Sequence, residues 1–401
     1  MKNILYVEEF VYGDTWVGTE IPKEIISSLI NHDYDLTILC SSQAYHNKVL
    51  PDYPICFSKS FKVVYAFQLP YGKNKIIFRL INSFLFCLQY LYIIYSDHYQ
   101  LVITQSNPSI LPIFVALSKF CNQFKWLFIV QDLYPDVIFA YLPKFYLTYI
   151  AFPFRTIYKF FFSSCTHFVV LGESMKYRLN NYNVPDNKIS IISNWALGLD
   201  KSLENIKEPI LSSSDLSKSC NFIYTGNVGS AHDSAFISKV IRYSHHLPVF
   251  FEFAASGSAL NQLKHNLANI HHPRNFEFTN FIPSSNYNEY LARFHFGIVS
   301  MSKSFSGIVY PSKFFGYLSR GLPILYLGSD EELCTLIRQY NIGLVLNEIN
   351  IHLFPEILAA LTEESLATMR ANCRELYQSK FSKHQSLSSY LRLVARISNA
   401  R

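Results

Sequence analysis

Three short segments in the second half of the chain carry residue types suited to holding an anion. The run Phe222-Ile223-Tyr224-Thr225-Gly226-Asn227-Val228-Gly229-Ser230-Ala231-His232 reads as a strand breaking into a Gly-x-x-Gly turn before a helix. Glycines there let main-chain N–H groups approach an anion at the helix N-terminus, although a tight strand-to-helix turn wants glycine even with no ligand. A second strand-like run, Val249 to Ala254, ends in Ser256-Gly257-Ser258, another loop of small residues. In the third segment Pro311 or Ser312 suits a helix start, and Gly321 followed by Pro323 suits its end about three turns later. Lys313 falls in that helix's first turn, where the macrodipole disfavours a cation by a few tenths to about 1 kcal/mol. A lysine about 4 Å from one unit of negative charge gains roughly 4 kcal/mol at an effective dielectric of about 20. That gain outweighs the dipole cost, which favours a bound diphosphate over a solvated surface lysine beside Ser312. Gly316 costs so short a helix roughly 0.5–1 kcal/mol relative to alanine, which implies close approach by a neighbouring helix or a ligand. Gly226, Asn227, Gly229 and Lys313 are therefore the residues of these segments suited to an anion.

The first half offers carboxylates. Asp132 and Asp136 follow the apolar run Trp126 to Val130, where a carboxylate could orient an acceptor hydroxyl or take its proton, or simply close a turn. Gly18, in the stretch Gly13 to Thr19 after the first strand, could let the main chain come close to a ligand. Asp33-Tyr34-Asp35 spells the Asp-x-Asp of metal-dependent transferases but precedes its strand, so it reads as a solvated turn. His271-His272 lacks cysteine or carboxylate partners at ligand spacing, and no metal site is expected. There is no Gly-x-Ser-x-Gly hydrolase elbow and no Gly-x4-Gly-Lys-Ser/Thr loop.

The elements that must position these residues are short apolar runs alternating with helix-patterned stretches. In the first half the runs begin at Ile4, Leu36, Val63, Leu101, Trp126, Phe168 and Ile189; in the second, at Phe222, Val249, Phe276, Phe296, Pro323 and Gly343. Uninterrupted hydrophobicity means burial on both faces, as in parallel strands covered by helices, so each half reads as a doubly wound α/β sheet. The Ser-rich stretch 201–220 marks a linker between a first unit at 1–200 and a second at 221–385. Residues 386–401 form a terminal helix that could pack back on the first unit. Ligands of such sheets sit beyond the carboxyl ends of the strands, so a cleft between two facing sheets is the expected site.

With 401 residues, half of them hydrophobic and 16% charged, the chain builds sizeable cores and global disorder is excluded. A net charge of +6 without a Lys/Arg run argues against nucleic acid. The eight scattered cysteines read as reduced core thiols of a cytoplasmic protein, and the N-terminus goes straight into a strand rather than a signal peptide. Arg79, Asn82 and Gln89 interrupt the apolar stretch from Ile76 to Tyr95, which therefore reads as a buried helix and not a membrane span. Aromatics mixed with Lys73, Lys75, Arg79, Lys144, Arg155 and Lys159 in 71–95 and 141–162 suit either buried helices or a surface resting on a membrane.

Taken together, Tyr224 to His232, Gly307-Ile308-Val309-Tyr310-Pro311-Ser312-Lys313-Phe314-Phe315-Gly316 and Gly321-Leu322-Pro323 resemble glycosyltransferase family four, in particular the bacterial colanic-acid and O-antigen polysaccharide type. Gln131-Asp132-Leu133-Tyr134-Pro135-Asp136 and Ser193-Asn194-Trp195-Ala196 agree with that group. The resemblance implies a GT-B fold and retaining, metal-independent transfer from a nucleoside-diphosphate sugar to a saccharide or lipid-linked saccharide, with no other cofactor. It implies donor contacts from Gly226, Asn227, Gly229, His232, Gly257, Phe281, Ile282, Gly307, Ile308, Val309, Ser312 and Lys313, and acceptor contacts from Gly18, Thr19, Gln131 and Asp132. Asp132 and Lys313 carry the catalytic roles. Departures are plain: Ile308 and Gly316 stand where the family carries two glutamates, Gln131 stands where many members have histidine, and the basic pair after the first glycine loop is reduced to His232. A nucleotide-sugar epimerase and a catalytically silent scaffold therefore remain as alternatives.

Overall fold

The computed structural model describes residues 3–11, 17–41, 61–69, 76–142, 144–197, 219–268, 275–280, 282–283 and 286–399. Residues 201–218 of the expected linker, Gly13, His271, His272 and Phe281 lie outside them. The chain divides into two units, 1–194 with 307–310 and 383–401, and 195–306 with 311–382.

The first unit holds seven strands: β1 (Asn3–Val7), β2 (Asp35–Ser41), β3 (Phe61–Ala66), β4 (Leu101–Thr104), β5 (Lys125–Ile129), β6 (His167–Val170) and β7 (Ile189–Ile191). Their order is β3-β2-β1-β4-β5-β6-β7, and every pairing is parallel, with Leu5 of β1 opposite Thr37 and Val102. The helices between them are α1 (Val17–Ile30), α2 (Ile76–Ser96), α3 (Leu111–Ser118), α4 (Asp136–Ala140), α5 (Lys144–Ser163) and α6 (Glu173–Asn180).

The second unit holds six parallel strands: β8 (Cys220–Asn227), β9 (Val249–Ser256), β10 (Phe276–Thr279), β11 (Phe296–Ser300), β12 (Ile324–Leu327) and β13 (Gly343–Leu346), in the order β10-β9-β8-β11-β12-β13. Its helices are α7 (Ser234–Tyr243), α8 (Leu260–Leu267), α9 (Tyr287–Leu291), α10 (Ser312–Leu318), α11 (Glu331–Gln339), α12 (Phe354–Ala359) and α13 (Glu363–Leu376). The last helix, α14 (Lys383–Asn399), counts with the first unit, where Lys383 pairs with Glu24 of α1 at 2.9 Å and Ser386 Oγ donates to the Ser193 carbonyl.

All thirteen apolar runs are strands, because helices cover both faces of each sheet and leave the apolar residues of its central strands fully buried. Rings set the spacing of the second core: Phe222 stacks on Phe251 and Phe296 of the flanking strands at 5.0 and 5.5 Å between centroids. In both sheets the order reverses once, between β1 and β4 and between β8 and β11. Loops leaving those strands diverge to opposite faces and leave a crevice at the carboxyl ends.

Three expectations need correcting. Helix α2 is not buried: only 28% of its apolar stretch is covered. Its polar residues serve another purpose, since Asn82 and Gln89 each bond both the N–H and the C=O of a residue after β3, Leu69 and Phe67 respectively. Of the seven described cysteines six are buried, but Cys121 is exposed. Helix α10 runs only seven residues, shorter than expected, and no neighbouring helix approaches Gly316, where an added Cβ would have nothing within 4 Å. The close approach occurs instead at Gly297 of β11, where a Cβ would stand 2.5 Å from the Tyr317 ring of α10.

These two glycines should respond oppositely to one methyl group. Gly316→Ala is expected to raise unfolding free energy by about 0.5–1 kcal/mol, and Gly297→Ala to lower it by about 1–3 kcal/mol through overpacking. Urea titrations of the two variants beside the parent chain measure both.

Candidate functional site

At the carboxyl edge of the second sheet two turns are stitched together. Strand β8 runs on through Gly226 and Asn227, which register against Ala255 and Ser256 of β9. Val228 N–H then donates to the Ser256 carbonyl at 2.7 Å, and Ala259 N–H to the Val228 carbonyl at 3.0 Å. Gly257, at φ +120°, makes this closeness possible, because a Cβ there would lie 2.1 Å from Asn227 Oδ1 and 2.6 Å from the Val228 carbonyl. Gly226 is also left-handed, at φ +86°.

Lys313 reaches this pair of turns from α10. Its Nζ donates to the Asn227 carbonyl at 3.0 Å and lies 4.7 Å from the centre of the Tyr224 ring. The Tyr224 hydroxyl donates to the same carbonyl at 2.9 Å. Burial pushes the Lys313 ammonium down to about 8, since the ring and carbonyl replace water without supplying a full counter-charge.

At the expected helix N-terminus the Phe236 N–H is already taken. Helix α7 starts at Ser234, and the Asp233 carboxylate caps it by accepting the Phe236 N–H at 2.9 Å. Unbonded donors lie earlier: among the described residues the N–H groups of Gly229, Ser230 and Ala231 find no protein acceptor. His232 follows them with its Nδ1–H donated to the Ser300 carbonyl at 2.8 Å. Burial and the nearby Lys313 charge lower it to about 4, so it is neutral and cannot serve as a second cation.

The segment 307–313 is divided. Gly307, at φ +69°, is counted in the first unit, where a Cβ would strike the Ser174 carbonyl and Arg178 Cγ of α6. Ile308 is buried in the first unit's core, Val309 packs against it, and the Ile308 carbonyl accepts the Leu133 N–H at 2.9 Å. Both residues were expected to contact the donor, and their side chains pack in the first unit. Ser312 opens α10 in an exposed position, and Ile282 is buried.

At the carboxyl edge of the first sheet, Ser106, just past β4, accepts the Gln131 and Asp132 N–H groups at 3.0 and 3.1 Å. The Gln131 side chain is held by Asn194 in a reciprocal amide pair, at 2.7 and 3.3 Å, which uses one of its two N–H donors and one oxygen lone pair. Asp132 keeps a carboxylate with no hydrogen bond from the described residues, and burial raises it to about 6. Asp136 is structural, tied to Tyr182 and to Arg155, the latter at 3.3 Å. In α1, Thr19 is buried and Gly18 half-buried.

One carboxylate at this edge escaped the sequence reading. Glu8 follows β1 directly, is 1% exposed, and accepts the Phe10 N–H at 3.3 Å. Burial, with the like charges of Glu9 and Asp132 beside it, holds its carboxyl well above the usual range. Its position at the reversal between β1 and β4 was the available signal.

A carboxyl whose folded value is raised keeps its proton in the folded state while the unfolded chain loses it from about 4.5 upward. Stability therefore falls as pH rises from there toward the folded value. Glu8→Gln removes that loss, so its stability relative to the parent should improve as pH rises from about 4.5 in parallel urea titrations. A pH-independent difference would show that Glu8 is ionised in the folded chain.

No family model matches the chain. A probable glycosyltransferase of Pseudomonas aeruginosa, WbjE, is 22% identical over 299 residues, covering 73% of this chain and 74% of that protein. Among solved structures, sucrose-phosphate synthase from Thermosynechococcus elongatus superposes with a TM-score of 0.71 at 12% identity over 99% of both chains. HepE from Anabaena, solved with UDP-glucose, gives 0.67 at 8% identity over 99% of this chain and all of its own. With two parallel sheets of seven and six strands and these neighbours, the chain has the GT-B fold of nucleotide-sugar glycosyltransferases.

Proposed function

We propose that the protein is a retaining, metal-independent glycosyltransferase. It takes a sugar from a nucleoside-diphosphate donor and passes it to a lipid-linked saccharide, in surface-polysaccharide assembly at the cytoplasmic side of a membrane. The observation that carries the reading is the grouping of Lys313 with the unbonded N–H groups of Gly229, Ser230 and Ala231 at the reversal point of the second sheet. Amides and one ammonium suit a diphosphate, whose charge grows as the glycosidic bond breaks. The relatives support the same class: WbjE is described as a probable glycosyltransferase, HepE was solved with UDP-glucose, and an Arabidopsis starch synthase was solved with ADP and acarbose.

In this reading Gly226, Asn227 and Gly257 shape the turns that present the amides, and Lys313 meets the phosphates. Neutral His232 keeps Nε2 as an acceptor for a donor hydroxyl. Asp132, raised toward neutrality, orients the acceptor hydroxyl and receives its proton as the new bond forms. Glycine at 316 and isoleucine at 308, in place of the family's glutamates, favour the silent scaffold as a second reading.

Isothermal titration with UDP, GDP, ADP and dTDP separates the two. Binding of one nucleotide, weakened about tenfold or more by Lys313→Ala, is expected; no binding of any of them overturns the transferase. A bound diphosphate raises Lys313 from about 8, so binding takes up a proton and affinity should fall as pH rises through that value. The Lys313→Ala variant should lose this pH dependence.

A further inference from the structure

Helix α2 is long and apolar enough to cross a bilayer by length and composition, yet it lies on the first unit with most of its surface uncovered. Leu80, Phe84 and Tyr92, spaced to share one face, are 59%, 49% and 76% exposed. Asn82 and Gln89 hold the opposite side flat against the residues after β3 through four hydrogen bonds. A spanning helix would have to break those bonds and bury both amides in hydrocarbon. The helix is therefore built to lie along a surface.

The apolar face continues beyond α2. Phe84 meets Phe114 of α3 edge-on at 5.9 Å, and α3 packs against α5. Phe120 just after α3 stacks on Phe160 of α5 at 5.8 Å, with the two rings 67% and 56% exposed, and Phe152 of α5 is 76% exposed. Exposed apolar area on this scale marks a contact surface.

Charge selects the occupant. Across α2, α3 and α5 the sequence has Arg79, Lys144, Arg155 and Lys159 and not one Asp or Glu. Arg155 is paired with Asp136, whereas Arg79 and Lys159 have no carboxylate partner among the described residues. A symmetric dimer through this face would set cations against cations. An anionic lipid surface accepts both features, with rings among acyl chains and cations at head groups.

We infer that α2, α3 and α5 form a seat on which the first unit rests, unspanned, on an anionic lipid bilayer. The inference does not depend on the transferase reading, because lipid binding requires no donor sugar.

Co-sedimentation of the full chain with sucrose-loaded vesicles tests it. Binding to phosphatidylglycerol–phosphatidylcholine vesicles is expected, weaker on phosphatidylcholine alone and reduced by salt. Leu80→Asp with Phe152→Asp should lower the partition coefficient at least about tenfold, and Arg79→Glu should weaken only the anionic component. Both sites are exposed, so thermal melts of the variants should match the parent. Absence of binding to either vesicle, or a double variant that binds like the parent, overturns the inference. So does a dimer seen by light scattering that the double variant dissolves without change in vesicle binding.

Discussion

Parallel pairing is the constraint on which the rest of this structure depends. Because all strands within a given sheet run parallel, each sheet gathers its carboxyl ends on one edge and hides its apolar side chains beneath helices. Polar and charged groups then have one place to accumulate without disturbing a core. Glu8, Ser106, Gln131 and Asp132 occupy that edge in the first sheet; Asn227, Gly229 and Gly257 occupy it in the second. The chemistry is positioned by sheet direction before any individual side chain is considered.

Within that frame the second edge is organised by absence of bulk. Gly257 lets one turn lie against the next, and the resulting contact fixes the Asn227 carbonyl where Lys313 and Tyr224 can both donate to it. This arrangement holds the ammonium in a defined place in the chain as it stands, rather than leaving a long flexible side chain to be ordered on binding.

Much of this was legible in the residues. Thirteen apolar runs became thirteen strands, because a strand buried on both faces has nothing but apolar positions. The place of Lys313 in the first turn of α10 was legible from the helix-start signal at Pro311 and Ser312. The failures are equally physical. Residues 307–310 pack with the first unit while their neighbours belong to the second, and spacing along a chain does not report such a change of company. The Glu8-Glu9 pair looks like any solvated turn until the strand order places it at the reversal. Helix α2 is apolar around most of its circumference, a pattern that ordinarily implies burial; only the bonding of Asn82 and Gln89 reveals which side is committed to protein.

Burial sets how His232 and Lys313 meet a change in acidity. With Nδ1–H committed to the Ser300 carbonyl, the His232 ring is discharged above about 4, while the Lys313 ammonium persists up to about 8. Between those two values neither His232 nor Lys313 changes charge. Asp132, at about 6, titrates inside that same window. Of these three groups, the one held nearest neutrality lies at the first sheet's edge.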